Sequence, residues 1–253
     1  MQCCSRNLFV RPYSRIASAY NALTGFGDFR RAKIAFERLV RFYGIHFRSA
    51  VDVGCGTGLF ACYLNRRWGI PVLGVDRSPE MLAAAARNCP NLDVHFLCQD
   101  FRDLCLPWRV ELATANTCTL NHLINLHQLL RGFHRVHDNL IPGGHFLFDL
   151  ITDRQPRHWI RGMTRRLRFR GMKIIHTTRW DEGRKLLTIV IVQSPIGSWP
   201  STTEVYLGRG YSIPDVGRCL QRAGFLLRGI HDARTLRMAT RSSPKVIFVA
   251  VKK

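Results

Sequence analysis

Lysine and acidic side chains are both scarce in this chain. Of 253 residues only 17 are Asp or Glu, against 38 Lys and Arg, and six of those 38 are Lys. The balance of +21 would draw nucleic acid, anionic lipid or acidic substrates to the surface. An arginine-heavy composition can also follow from codon usage, so the charge permits such partners without marking a site. No apolar run approaches the ~20 residues of a membrane span. Residues 1–13 carry no apolar h-region followed by a small-residue cleavage site, as a secretory signal would. The nine cysteines (3, 4, 55, 62, 89, 98, 105, 118 and 219) contain no CxxC pair and are odd in number. They read as reduced thiols of a cytoplasmic protein, with neither a disulfide frame nor a zinc site. Cys3 and Cys4 belong to a frayed terminus or, less simply, to an acylation site. His134 and His137 stand three apart without a carboxylate or Cys at ligand spacing, so no metal is expected and they read as a solvated helix face. Internal repeats and low-complexity segments are absent as well. With 46% hydrophobic and 22% charged residues the chain is globular, long enough for one large domain or one domain with a small addition.

The most informative stretch is Ser49 to Gly58, SAVDVGCGTG. Ala50, Val51 and Val53 form a short strand, Gly54, Cys55, Gly56, Thr57 and Gly58 a turn, and LFACYLNRRW repeats apolar residues at helical spacing. Glycines suit a turn that presses its backbone on a ligand, where a Cβ has no room and φ can be positive. The next strand, Val72 to Val75, ends in Asp76, 18 residues after Gly58, where an acid can hold the two hydroxyls of a ribose. The glycine pattern alone also lies close to an NAD fingerprint. Three details separate the two: Asp52 lies inside the strand, the glycines read GxGxG, and the strand Val94 to Cys98 leads into Gln99, Asp100 and Phe101.

On these residues the chain resembles the class I S-adenosylmethionine-dependent methyltransferases. DVGCGTG is similar to their first motif, GVDRSPEML to their second, and CQDFRDL to the loop that in this family holds the adenine. Residues 1–12 read as disordered. From Tyr13 the periodicity predicts two helices, with Ile16, Ala19, Tyr20 and Leu23 on one face and Phe36, Leu39, Val40 and Tyr43 on the next. The first resembles the amino-terminal cap of small-molecule methyltransferases, in which a YxxxAxxYD-like helix closes over the cofactor. Tyr13, Ala17 and Tyr20 fit it, with Asn21 in place of the acid; alternatively, the two tyrosines are packing residues. Ser78, Pro79 and Glu80 start a further helix well.

The strand Val110 to Ala115 leads into a segment similar to the family's DSLNYL turn and LxPGGxFxFDxxT strand, matching at Leu120, Asn121, Leu123, Leu140, Pro142, Gly143, Gly144, Phe146, Phe148, Asp149 and Thr152. Cys118 stands where those relatives have Asp, and Glu111 where the strand usually begins with Asp. A thiol with a reference pKa of ~8.5 is mostly protonated at neutral pH, so Cys118 is a weak acid/base or methyl acceptor and a better small hydrophobe. Residues 153–185 hold 11 Lys and Arg against 3 Asp and Glu. Three apolar or alternating runs there and beyond predict three antiparallel strands, with Asp181-Glu182-Gly183 turning between the first two. They resemble the lid of sugar-amine, glycine and related methyltransferases, which roofs the acceptor. Arg165, Arg166, Arg168 and Arg170 read either as a clamp on an anionic acceptor or as one solvated strand face. Where the family lid often ends in HxxRxY, this chain has Tyr206, Arg209 and Tyr211, with Glu204 on the same strand face as Tyr206.

The expected architecture is therefore α/β: a Rossmann-like, doubly wound seven-stranded sheet with its last strand antiparallel and an inserted antiparallel β lid. Its parts run as the disordered 1–12, a helical cap at 13–48, a cofactor-binding core at 49–152, the lid at 153–211 and the rest of the core at 212–253. The resemblance implies S-adenosylmethionine as cofactor, held by Tyr20, Asp52, Gly54, Cys55, Gly56, Gly58, Asp76, Arg77, Met81, Asp100, Phe101, Asn116 and Thr117. Met81 reads equally as core. Cys118, Asn121, Glu204 and Arg209 are the acceptor candidates, and His122 and Tyr206 the catalytic ones. The expected function is methyl transfer to O or N of a small-molecule acceptor, by in-line displacement. An RNA methyltransferase is the alternative that the charge favours, although no Asn/Asp-Pro-Pro-aromatic signature of base methylation is present. A non-catalytic protein that binds the cofactor is the other.

Overall fold

The computed structural model describes residues 8–154, 162–197 and 200–253; Cys3 and Cys4 lie outside them. Seven strands form the central sheet: β2 (Ala50–Val53), β3 (Val72–Asp76), β4 (Val94–Cys98), β5 (Val110–Ala115), β6 (Leu140–Ile151), β11 (Phe225–Asp232) and β12 (Lys245–Lys252). Their order is β11-β12-β6-β5-β2-β3-β4. All neighbours are parallel except β12, which runs antiparallel to both β6 and β11. Helices α1 (Phe26–Tyr43), α2 (Leu59–Trp68), α3 (Pro79–Asn88), α4 (Leu126–Asn139) and α5 (Ile213–Arg222) connect and cover them.

The period of two along each strand sends side chains into two separate cores. Val51, Val53, Phe146, Phe148 and Phe248 meet Leu129, Phe133, Val136, Val216 and Leu220 of α4 and α5. Ala50, Leu112, Leu147 and Val249 meet Phe36, Leu39, Phe60 and Leu64 of α1 and α2. Each large side chain so buried contributes roughly 1.5–3 kcal/mol, which makes the sheet a rigid base. Strand order reverses between β2 and β5, and the loops leaving the carboxyl ends of these two strands open the crevice where a doubly wound sheet takes its ligand.

Above this crevice lies a second sheet, β1-β10-β9-β8-β7, built from β7 (Met163–Phe169), β8 (Met172–Asp181), β9 (Leu186–Pro195), β10 (Thr202–Arg209) and β1 (Leu8–Val10). Three expectations are corrected here. The lid has four antiparallel strands of its own, because the first alternating run folds back on itself at Arg170 and Gly171, with φ of 46° and 74°. Two consecutive positive φ values suit the two-residue hairpin turn that joins Phe169 to Met172. Residues 8–10 are ordered as β1, which pairs in parallel with Thr202, Thr203 and Glu204 of β10. In the cap, the expected first α-helix is replaced by a 3-10 turn at Ile16–Ser18 and a π turn at Asn21–Gly25. The fully buried Glu204 decides that geometry, since its Oε1 accepts from the N–H groups of Arg15 at 2.5 Å and Ile16 at 3.2 Å.

The cysteines also differ from expectation. Cys62 of α2 and Cys89 at the end of α3 are joined by a disulfide, with Cα atoms 5.6 Å apart. The two helices approach closely beside Gly58, where a Cβ would lie 2.9 Å from that of Ala85 and 3.2 Å from Cys89 Sγ. Cys55, Cys98, Cys105, Cys118 and Cys219 are free.

Candidate functional site

Two cavities meet over the carboxyl ends of β2 and β5. The first, about 300 Å3, is lined by the glycine turn, the ends of β3 and β4 and the start of the loop after β5. The second, about 610 Å3, lies between the cap, the loop after β5 and the inner face of the lid. Tyr13, Tyr20, Asp28, Thr117 and His122 belong to both linings and form the partition between them.

The glycine turn shapes the first cavity. Gly54 has φ of 64°, and a Cβ on it would fall 2.2 Å from Thr119 Cγ2, so only glycine lets the loop after β5 close against β2. Gly56, also left-handed with φ of 54°, has open space where its Cβ would be, and it donates its N–H to Asp76 Oδ2 at 2.9 Å. Asp76 Oδ1 takes the Ser78 N–H at 2.9 Å, so both oxygens are oriented while keeping lone pairs for a ligand. Burial raises the Asp76 carboxyl above its usual range, and the amides of Ser78 and Gly56 oppose this. Asp52 is 2% exposed, and its Oδ1 accepts from the Thr114 hydroxyl at 2.8 Å. Burial pushes its carboxyl up to about 7, with Thr114 and the neighbouring Asn116 holding it back. Asn116 lines the cavity, and its buried Nδ2 makes no hydrogen bond of good geometry, its influence being on the Asp52 carboxyl. At the far end Asp100 is gripped by Arg102 through Nε at 2.8 Å and Nη2 at 2.7 Å, which holds its carboxyl below the usual range. Phe101 lines the cavity from beneath, its ring packed over Gly132 of α4.

A buried acid that gives up its proton only near neutrality carries a stability cost that depends on pH. Asp52 binds a proton more tightly folded than unfolded, so its contribution is fully present below pH ~4 and is lost as pH rises through about 7. We expect Asp52→Asn to gain stability relative to the parent as pH rises from 4 to 8, by up to ~4 kcal/mol before any cost of the buried amide. Urea unfolding at pH 4.5, 6 and 8 measures it, and a difference that stays flat with pH would contradict the burial argument.

Around the second cavity the polar groups are more closely committed. His122 Nε2 lies 2.7 Å from Tyr13 Oη, and its Nδ1 lies 3.2 Å from the Leu207 carbonyl. The carbonyl can only accept, so Nδ1 carries the proton and the phenol donates to Nε2. Burial lowers the His122 imidazole and raises the Tyr13 phenol well above its ordinary value. Tyr206 lines this cavity, but its hydroxyl donates to Glu204 and accepts from the Tyr13 N–H at 3.2 Å. Burial and the Glu204 carboxylate push that phenol far above its usual value, so Tyr206 holds its proton. The Cys118 thiol, at the cavity wall, is pushed by burial up to about 12, consistent with its reading as a small hydrophobe.

Of the thirteen residues expected at the cofactor, twelve line the first cavity. Gly58 does not; it faces α3, where its missing Cβ permits the close approach of α2 described above. Met81 lines the cavity and also packs with Ile16, Ala17 and Ala19 of the cap. Among the acceptor candidates, Cys118 and Asn121 line the second cavity, while Glu204 and Arg209 line neither. Glu204 is used in fastening the cap, and Arg209 points away to the Ile124 carbonyl at 3.4 Å. Asn121 has its amide fully engaged with the backbone of Ile151 and Arg209, so it is a brace between core and lid. Of Arg165, Arg166, Arg168 and Arg170, the first borders the cavity and the other three are exposed and line neither cavity. Asp28, Lys245 and His176 were not anticipated. Asp28 was legible only as an acid in the first turn of a helix, whereas Lys245 and His176 reach the cavity through pairings distant in sequence.

Residues 50–144 match the methyltransferase domain family. Over 117 residues the chain is 31% identical to the dTDP-3-amino-3,6-dideoxy-alpha-D-glucopyranose N,N-dimethyltransferase of Streptomyces fradiae, a match covering 46% of this chain and 45% of that protein's length. Among solved structures, the S-adenosylmethionine-dependent methyltransferase of Clostridium acetobutylicum ATCC 824 superposes with a TM-score of 0.79 at 18% identity, over 95% of this chain and 98% of that one. The sugar N-methyltransferase KedS8 of Streptoalloteichus sp. ATCC 53650 does so with a TM-score of 0.79 at 19% identity, over 100% and 99%. The motifs of the glycine turn and the order of the sheet agree with this domain match, and residues 50–144 are a methyltransferase domain.

Proposed function

We propose that the chain methylates a small molecule lodged in the second cavity, on a nitrogen in preference to an oxygen. The observation that carries this reading is the shared partition: a cofactor-sized cavity and a chamber under the lid meet at Tyr13, Tyr20, Asp28, Thr117 and His122. A chamber enclosed by cap and lid suits a small acceptor. The match to an amino-sugar N,N-dimethyltransferase supports nitrogen and a sugar-like acceptor.

The first cavity fits S-adenosylmethionine. Asp52 and the orphan amide of Asn116 would meet the ammonium and carboxylate of its methionine end, with Gly54 and Gly56 leaving room; Asp76 would take the ribose, and Asp100 with Phe101 the adenine. When bound, this cofactor supplies an electrophilic methyl group on a sulfonium sulfur. The protein's own task is to align the acceptor with that methyl at ~3–3.5 Å and to limit water, a task for which the cap and lid are placed. A proton leaving the acceptor can pass to Tyr13 Oη as Tyr13 gives its own to His122 Nε2, already in hydrogen-bond contact. His122 is thus the base at one remove, and Tyr206 orients Tyr13. Arg165 and Arg31 border the chamber and suit an acceptor with an anionic group.

The test begins with thermal unfolding in the presence of S-adenosylhomocysteine or NAD, followed by transfer assays with amino sugars, their nucleotide-linked forms, hydroxyl analogues and structured RNA, read by product mass. A midpoint raised by S-adenosylhomocysteine alone, with methylated amine as product, is expected. Transfer to RNA alone, retained through salt-sensitive binding, would favour an RNA methyltransferase. Cofactor binding without transfer to any acceptor would leave a non-catalytic binding protein.

A further inference from the structure

The loop after β5 takes a conformation that side chains resist. Thr117 and Cys118 are consecutive, neither is glycine, and both are left-handed, with φ of 57° and 64°. A residue with a Cβ persists there only where its surroundings over-determine it. The surroundings in this case are one carboxylate: Asp149 accepts the Thr117 N–H on Oδ2 at 3.0 Å and the Cys118 N–H on Oδ1 at 2.5 Å. Sheet register puts it there. Ala115 pairs with Phe148 across β5 and β6, so Asp149 lies beside the chain as it leaves β5. The carboxylate is itself buried, and Lys245 Nζ sits 2.9 Å from Oδ2. Lys245 comes from β12, where Ile247, two residues on, is the direct partner of Asp149, so the two side chains share a face of the sheet as diagonal neighbours.

Thr117 belongs to the partition between the cavities, Cys118 and Lys245 line the acceptor chamber, and Asn116 with its orphan amide precedes them. We propose that Asp149 and Lys245 are a positioning pair: together they hold the Thr117–Cys118 turn in its left-handed form and thereby fix the partition against which cofactor and acceptor are aligned. This rests on the methyltransferase reading for its purpose, though not for its geometry. The Asp149 carboxylate touches neither ligand in this scheme and acts through the turn, while Lys245 holds it in place from 2.9 Å and adds a cation to the chamber wall.

The experiment is amide hydrogen exchange at residues 116–119, together with titration by S-adenosylhomocysteine, on the full chain and on Asp149→Asn, Lys245→Met and Asp149→Asn/Cys118→Gly. Asp149→Asn should speed exchange at Thr117 and Cys118 at least ~10-fold and weaken S-adenosylhomocysteine ~10-fold, since one of the two amides loses its acceptor. Adding glycine at 118 should recover about fivefold of that affinity, because glycine takes the left-handed form without restraint, whereas lost packing would not be recovered. Lys245→Met, which keeps the carboxylate, should move both readouts the same way but less. In transfer assays at saturating cofactor the loss should fall on kcat rather than on the KM for the acceptor, a split that general destabilisation would not produce. Unchanged exchange in Asp149→Asn, or an affinity loss that glycine deepens, would overturn the proposal. If the parent chain fails to bind S-adenosylhomocysteine the methyltransferase reading falls, and the exchange arm still decides whether this pair holds the turn.

Discussion

Asp76→Ala is expected to weaken S-adenosylhomocysteine binding by at least ~100-fold. The carboxylate is the acceptor for two backbone amides of the cofactor site, Gly56 and Ser78, each at 2.9 Å, and hydrogen bonds to a charged group are worth ~1.5–3 kcal/mol each. Truncation removes the carboxylate proposed for the ribose and also frees the Gly56 N–H, so the turn loses its restraint. Calorimetric titration reads the effect directly. The protein should remain folded, since burial already raises this carboxyl and its removal relieves a desolvated charge. Affinity within threefold of the parent would remove Asp76 from the site and reopen the question of where the ribose lies.

Glu204→Ala carries the largest expected cost in stability, about 3–5 kcal/mol. Its side chain is fully buried, and the truncation would strand the N–H groups of Arg15 and Ile16 and the hydroxyl of Tyr206 away from water. Glu204→Gln keeps an oxygen for the two amides and lets the amide nitrogen donate to Tyr206, so it should cost only ~1 kcal/mol. Urea unfolding of both variants tests the difference. Limited proteolysis should show cleavage near Arg11 and Arg15 appearing in Glu204→Ala first, because that segment loses its anchor. Equal stability in the two variants would mean that Glu204 does not fasten the cap.

The core of the fold was legible because strand, turn and helix alternate with little ambiguity from Ser49 to Asn88, and because local chemistry decides each junction. Ser78, for instance, caps α3 by accepting the Met81 N–H at 3.2 Å, as its sequence position implies. The first cavity was legible for the same reason, since its lining comes from short loops that follow consecutive strands. What escaped was whatever depends on long-range pairing or on the sign of φ. The hairpin turn at Arg170-Gly171 sits inside an alternation of basic and apolar residues that reads as one strand, and only the glycine hinted at the break. Glu204 was placed on the correct strand face together with Tyr206, yet only Tyr206 reaches the second cavity while Glu204 meets the cap, which no periodicity can reveal. The bridge from Cys62 to Cys89 was hidden by its spacing: the two lie on different helices and become neighbours only because Gly58 lets those helices touch.

The segment from Arg11 to Asn21 is tied to its surroundings on two sides. On the core side Asn21 receives the Thr57 hydroxyl at 2.6 Å, the Tyr13 carbonyl receives Ser78 Oγ at 3.4 Å, and Arg11 meets Glu80 at 3.2 Å. On the lid side Glu204 and Tyr206 hold Arg15, Ile16 and Tyr13. It is a latch stitched to both bodies, and because it walls both cavities it cannot be lifted from one alone. On the reading proposed above, loosening of that latch would open the way to both cavities together, and its pace would enter the turnover rate.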